Sequence, residues 1–261
     1  MPICFLFKHL RKLGCGAALG IALLSGSTYA DEILIAVASN FAEPMTEIIA
    51  RFEQETDHTV EMAIGSSGRF YAQIINGAPF QIFFSADQEK VDELEESGLV
   101  VEGTRFTYAV GRLVLWSATP QSDLVDMQSL DMQPFKRLAI ANPRVAPYGA
   151  AAVEVLGSVG IDPANDRRIV MGENIAQTFQ FVDTGNAELG FVAMSQVFRN
   201  GQVAQGSAQI IPAEMHRAIR QDAALLSQAA SCEACRQFLA HVSSPKSQQT
   251  IQSFGYSLHQ E

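Results

Sequence analysis

The chain of 261 residues carries 28 acidic and 18 basic residues, for a formal net charge of −10, and 48% of its residues are hydrophobic. That balance excludes nucleic acid and anionic membrane surfaces as partners, since both select basic patches. The length admits one or two domains with a sizeable core.

Residues 1–30 read as a secretory signal cleaved before Asp31. Lys8, Arg11 and Lys12 lead into an apolar stretch from Leu13 to Leu24 and then the small-residue sequence Ser27-Thr28-Tyr29-Ala30. The stretch is about a dozen residues, short of the roughly 20 that span a bilayer. Cys15 opens this stretch whereas a lipidated cysteine follows one, so no lipid anchor is expected. Loss of the three cations takes the net charge from −10 to −13, and a periplasmic address follows. Cys232 and Cys235 remain as a C-x-x-C at the start of a late helix. In an oxidising compartment a local disulfide is the better reading. A redox motif would follow a strand in a βαβ unit, and one pair cannot complete a zinc site.

Beyond residue 30, strand, small polar loop and helix recur, which is the pattern of an α/β fold with largely parallel sheets. Strand Ile33 to Ala38 leads through Ser39-Asn40 to a helix with Met45, Ile48, Ile49 and Phe52 on one face, at i, i+3, i+4, i+7 spacing. Strand Thr59 to Ile64 leads through Gly65-Ser66-Ser67-Gly68 to a short helix ending at Gly77. Strand Ile82 to Ala86 leads to Asp87 as a helix cap, with Val91 and Leu94 inward. A long strand from Phe106 to Ser117 breaks the rhythm.

A second set of units begins with Leu138 to Asn142, the loop Pro143 to Gly149 and an alanine-rich helix closed by Gly160. Ile169 to Met171, the loop Gly172-Glu173-Asn174 and a helix with Ile175, Phe179 and Val182 inward come next, then a buried strand from Leu189 to Met194. After Ile211-Pro212 the chain is expected to return to the first lobe and finish in helices around Phe238 and Ile251. Two lobes joined by two crossings result: lobe I from residues 31–110 and 218–261, lobe II from 111–217.

Four loops place hydroxyl, amide or bare backbone groups just ahead of a helix: Ser39-Asn40, Ser66-Ser67-Gly68, Tyr148-Gly149 and Asn174-Ile175. Each alone is most simply a helix cap. Together they lie at strand ends, which gather at one edge of a doubly wound sheet, and helix N-termini attract anions. An acidic protein that binds an anion this way relies on neutral donors and avoids the desolvation cost of a buried cation.

The same loops resemble the periplasmic molybdate-binding proteins of ABC importers. The likeness runs, in order, through Ala38-Ser39-Asn40-Phe41, Gly65-Ser66-Ser67-Gly68, Asn76-Gly77-Ala78-Pro79, Phe84-Ser85-Ala86-Asp87, Arg105-Phe106-Thr107-Tyr108, Ala141-Asn142-Pro143, Ala146-Pro147-Tyr148-Gly149, Gly172-Glu173-Asn174-Ile175 and Gly185 to Val192. It implies a type II periplasmic-binding fold: two α/β lobes joined by two crossing strands, with a ligand cleft between them. It also implies a monomer that delivers molybdate or tungstate to a permease in the inner membrane. Ser39 and Ser67 would give hydroxyl and amide donors, Asn40 further donors, Tyr148 its hydroxyl and Ile175 only its backbone N–H. Molybdenum would be held through its oxygens, with no direct protein ligand to the metal and no cofactor. Many members place a ligand tyrosine in the strand where this chain reads Gly190-Phe191-Val192-Ala193. This chain resembles instead the branch with tyrosine at the position of Tyr148.

Other polar residues have plainer readings. Arg69 is expected at an exposed helix start, outside the ligand shell. Asp92, Glu93, Glu95 and Glu96 make a solvated helix face, Phe70 and Tyr71 belong to core or cleft wall, and the histidines lack metal-ligand spacing. The competing class is a hydrolase with Ser39 or Ser67 as nucleophile, but no G-x-S-x-G elbow surrounds either serine. No catalytic residue is expected. A binding protein for sulfate, phosphate or a carboxylate shares the fold and differs only in the cleft.

Overall fold

A computed structural model describes residues 30–120, 130 and 135–258; the segment expected to be a secretory signal lies outside them but for its last residue, Ala30. In chain order the elements are β1 (Glu32–Ala38), α1 (Ala42–Glu55), β2 (Thr59–Gly65), α2 (Ser67–Ile75), β3 (Ile82–Phe84), α3 (Glu89–Glu96), β4 (Phe106–Gly111) and β5 (Leu113–Ser117). Then come β6 (Leu138–Ala141), α4 (Pro147–Ser158), β7 (Ile169–Gly172), α5 (Ile175–Asp183), β8 (Leu189–Ala193), α6 (Met194–Val197), β9 (Phe198–Arg199), β10 (Gln202–Val203), β11 (Ser207–Ile210), β12 (Ile219–Leu225), α7 (Glu233–Val242) and α8 (Pro245–Ser253).

Two five-stranded sheets carry the architecture, in the orders β2-β1-β3-β12-β4 and β11-β5-β8-β6-β7. In each, the strands that precede helices run parallel: β1 with β2 and β3, and β6 with β7 and β8. The stretch from Phe106 to Ser117, read in the sequence as one strand, is divided at Arg112. β4 pairs antiparallel with β12 in the first sheet, and β5 pairs antiparallel with β8 and β11 in the second. Both halves are apolar and buried on their own sheets, so periodicity runs through the junction and does not show it. The chain crosses to the second lobe here and returns through β12.

Helices close over each sheet by apolar faces. Met45, Ile48, Ile49 and Phe52 of α1 are buried as the spacing predicts, packing with Ile33, Ile35 and Phe238 in one core cluster. Burying each such side chain contributes about 1.5 to 3 kcal/mol. The second lobe has its own core around Leu115, Leu138, Ile140, Val155 and Phe191. Asp87 stands one residue ahead of the α3 N-cap, Gln88, and its Oδ1 still takes a first-turn amide, accepting the Lys90 N–H at 2.8 Å. Cys232 and Cys235 form a disulfide at the start of α7. Among the described residues no helix is long and apolar enough to cross a membrane.

Candidate functional site

The ends of β1, β2, β6 and β7 point at one gap between the lobes, and the segments that follow them start there: a 3-10 turn at Ser39–Phe41, α2, α4 and α5. Where they meet is a small cavity lined by Ala38, Ser39, Asn40, Gly65, Ser66, Ser67, Ala86, Ala146, Pro147, Tyr148, Asn174 and Ile175. All five residues singled out in the sequence, Ser39, Asn40, Ser67, Tyr148 and Ile175, border it. The space open to the centre of a water-sized sphere is about 10 Å³, so the lobes are shut around it. No charged side chain lines it, and the positive ends of helix dipoles face it.

An inventory of polar groups shows which donors remain. At the start of α2 the Gly68 N–H crosses the gap to the Val145 carbonyl at 3.0 Å, and the Arg69 N–H goes to the Ser66 carbonyl at 3.1 Å. Those are the two amides that a capping serine hydroxyl normally satisfies. The Ser66 Oγ therefore caps nothing and is buried without a partner. The Ser67 Oγ accepts the Ala86 N–H at 2.8 Å and keeps its own proton to donate. In α5 the Asn174 side chain takes the Gln177 N–H at 3.0 Å, and the Ile175 N–H stands in the first turn, where a helix offers no internal acceptor. The Tyr148 N–H holds the same place in α4, after Pro147.

Asn40 differs from the sequence reading. Its side-chain amide is directed away from further ligands, donating to Gln221 Oε1 at 2.8 Å and to the Tyr256 hydroxyl at 2.9 Å. Its carbonyl accepts from the Ser195 Oγ at 2.7 Å and the Tyr256 hydroxyl at 2.8 Å. The backbone N–H is the donor it has left. Asn40 thus organises a buried polar layer beneath the cavity in which Gln221 Nε2 donates to the Tyr148 hydroxyl at 3.1 Å and Tyr108 donates to Gln221 Oε1 at 3.0 Å. Burial raises the hydroxyl pKa of Tyr108 and Tyr148 well above the ordinary value, and that of Tyr256 to about 12. All three stay protonated donors at neutral pH.

Several contacts tie the lobes together around the gap. Besides the Gly68–Val145 bond, Arg69 of α2 pairs with Glu173 beside α5 at 2.9 Å across the rim, both side chains 56% exposed. Ser195 of α6 reaches Asn40, and Tyr148 of α4 meets Gln221 of β12. Close approach depends on two glycines. A Cβ on Gly68 would lie 2.9 Å from Val145 Cα, and one on Gly111 would lie 2.0 Å from the Tyr148 hydroxyl.

Sequence reading missed Gln221, Tyr256, Ser195 and Gly111. Only Gln221 left a trace, as half of a polar pair with Asp222 just ahead of the apolar run from Ala223 to Leu226. Ala193 does not line the cavity. A larger cavity of about 280 Å³ adjoins it, shares Ala86, Ala146 and Pro147, and is bordered by charges of both signs including Asp87, Lys90, Arg144, Glu154 and Arg217. Its open, mixed lining offers no converging set of donors. Among the described residues no group of three His, Cys, Asp or Glu side chains could hold a metal ion.

Comparison with known proteins agrees with this arrangement. The family described as "Bacterial extracellular solute-binding protein" matches residues 33–257. The molybdate-binding protein ModA of Azotobacter vinelandii is 47% identical, over 92% of this chain and 96% of its own. That of Rhodobacter capsulatus is 42% identical, over 96% and 98%. The solved periplasmic molybdate-binding protein of Azotobacter vinelandii superposes with a TM-score of 0.82 at 38% identity, covering 87% of this chain and all of that one. Two lobes of the periplasmic-binding fold, closed on a cavity of neutral donors, are those of a protein that binds and carries, as its relatives are: the chain belongs to the bacterial extracellular solute-binding proteins.

Proposed function

We propose that this protein captures molybdate or tungstate in the periplasm and delivers it, as a monomer, to an ABC permease in the inner membrane. The observation that carries the reading is the convergence of hydroxyl and helix-start N–H donors from both lobes on one small cavity without a charged side chain. The names of the 47% and 42% identical relatives support the choice of ligand. Ser39, Asn40, Ser67, Tyr148 and Ile175 hold the oxyanion, and Ser66 joins them, because an oxyanion oxygen would satisfy its orphaned hydroxyl. The metal is reached only through its oxygens. Tyr148 provides the hydroxyl of the second lobe, in the manner of the tyrosine-loop branch.

A cavity made of donors selects a fully deprotonated anion. A protonated oxygen, as on hydrogen phosphate, would have to turn a cavity hydroxyl from donor to acceptor or face an N–H unpaired, and an unpaired buried polar group costs about 1 to 3 kcal/mol. Sulfate carries the same charge with shorter bonds and reaches fewer of the donors at once. Capture needs the lobes to part and close again by a hinge at the β4–β5 junction and β12. Titration calorimetry with molybdate, tungstate, sulfate and phosphate tests the reading. Tight binding of the first two and weak binding of the last two is expected; equal affinity for sulfate and molybdate would contradict it.

A further inference from the structure

We propose that Gln221 is a positioning residue that makes the Tyr148 hydroxyl a donor to the bound oxyanion. The inference rests on the oxyanion-capture reading and adds to it a group that touches no ligand. A tyrosine hydroxyl can give or accept, and only giving helps an anion. Its direction is decided by what stands behind it.

Gln221 is fully buried and its amide has one possible orientation. The Oε1 accepts from Asn40 Nδ2 at 2.8 Å and faces the Tyr108 hydroxyl at 3.0 Å, whose single proton is shared with the Ser85 carbonyl at 2.9 Å, so Nε2 is the atom left to face Tyr148, at 3.1 Å. An N–H donor in that place occupies a lone pair of the Tyr148 oxygen and forbids the phenolic proton from pointing back. The proton is left with the cavity, or with Tyr256, which is near enough for its charge state to act on the Tyr148 hydroxyl. Tyr256 is a poor competitor, since its oxygen already takes a proton from Asn40 Nδ2 and its own proton goes to the Asn40 carbonyl. An anion in the cavity therefore outbids it.

Two features of the fold serve this contact. The β12–β4 pairing slips between Gln221 and Asp222, and such a bulge re-aims a side chain. Gly111, paired through β4 with Ile219, clears the space: a Cβ there would lie 2.6 Å from Gln221 Nε2 and 2.0 Å from the Tyr148 oxygen. Because Gln221 sits on a strand of the first lobe and Tyr148 on a helix of the second, the bond also forms only when the lobes are closed.

The test is calorimetry with molybdate on the full mature protein, using Gln221→Met, Gln221→Glu, Tyr148→Phe and the Gln221→Met/Tyr148→Phe double variant, each checked for folding by circular dichroism. Gln221→Met removes the donor at nearly constant shape, and a tenfold or greater rise in Kd is expected. In the Tyr148→Phe background the same change should add less than twofold, because its effect runs through the hydroxyl. Gln221→Glu replaces the donor by an acceptor that draws the Tyr148 proton away. Its Kd relative to wild type should fall as pH drops from 8 to 6, since a buried carboxyl has a raised pKa and regains a donor proton. A merely structural glutamine would produce neither the non-additivity nor the pH profile. Additive losses, or an unchanged Kd in Gln221→Met or Tyr148→Phe, overturn the proposal while wild-type binding leaves the capture reading standing. If the wild type binds neither molybdate nor tungstate, the capture reading itself falls and this inference with it.

Discussion

Replacing Gly68 by alanine separates closure from folding. The added Cβ would lie 2.9 Å from Val145 Cα and 3.2 Å from its carbonyl oxygen. Both are backbone atoms on the opposite lobe and cannot step aside as a side-chain tip would. The closed form loses the Gly68 N–H bond to Val145, about 0.5 to 1.5 kcal/mol, and bears an overlap of about 1 to 3 kcal/mol. The open form bears neither, and alanine is the better helix former in the first turn of α2. Molybdate affinity should therefore fall by roughly 1.5 to 4.5 kcal/mol in sum, a loss of about tenfold to about 2000-fold in Kd. The melting temperature of the ligand-free protein should stay level or rise slightly. Calorimetry paired with thermal melting reads both. An unchanged Kd, or a fall in ligand-free melting temperature that matches the lost affinity, would refute the assignment of Gly68 to closure.

Tyr148→Phe should weaken molybdate binding by about 1.5 to 3 kcal/mol, the range for a hydrogen bond to a charged group, measured by the same titration; an unchanged Kd would place the hydroxyl outside the ligand shell. Arg69→Ala, which opens the Arg69–Glu173 bridge, should cost less than about 1 kcal/mol of affinity because both side chains are half in water. That loss should shrink further between 0.05 and 0.5 M salt, and a large, salt-independent effect would mean that Arg69 reaches the ligand. Burial pushes the Asp87 carboxyl up to about 6, against the Lys90 N–H bond that pulls it down. A raised carboxyl pKa favours the folded state most when protonated, so this contribution is full below about pH 4 and is lost as pH rises through 6. Asp87→Asn, which keeps an acceptor for Lys90, should melt above wild type at pH 8, with an advantage that shrinks below pH 6 and is gone by about pH 4; a constant difference in melting temperature would contradict the shift.

The burial pattern of α1, the strand-loop-helix rhythm and the gathering of Ser39, Ser67, Tyr148 and Ile175 at helix starts were legible in the sequence, because each rests on spacing within a dozen residues. Family resemblance added the expected ligand and the choice of Tyr148 over the Ala193 strand. The hinge was only half legible. The run Phe106 to Ser117 is mostly apolar, and a single Gly111-Arg112 step is too weak a local signal to mark the place where one strand leaves the first sheet and the next enters the second.

The donor inventory is where local reading ran out. Asn40 looked like a source of further donors, and only the fold shows its side-chain amide spent on Gln221 and Tyr256, residues 181 and 216 positions away, which leaves its backbone N–H. Ser66 looked like an ordinary cap, and only the bond from Gly68 to Val145 across the cleft leaves its hydroxyl without a partner. The sequence by itself determined that neutral hydroxyl and backbone groups would stand at the starts of helices, since caps and glycines act over single turns. Which of those groups still has a proton to give was decided by the tertiary structure, because a hydrogen bond satisfied by a distant segment removes a donor as completely as a mutation would.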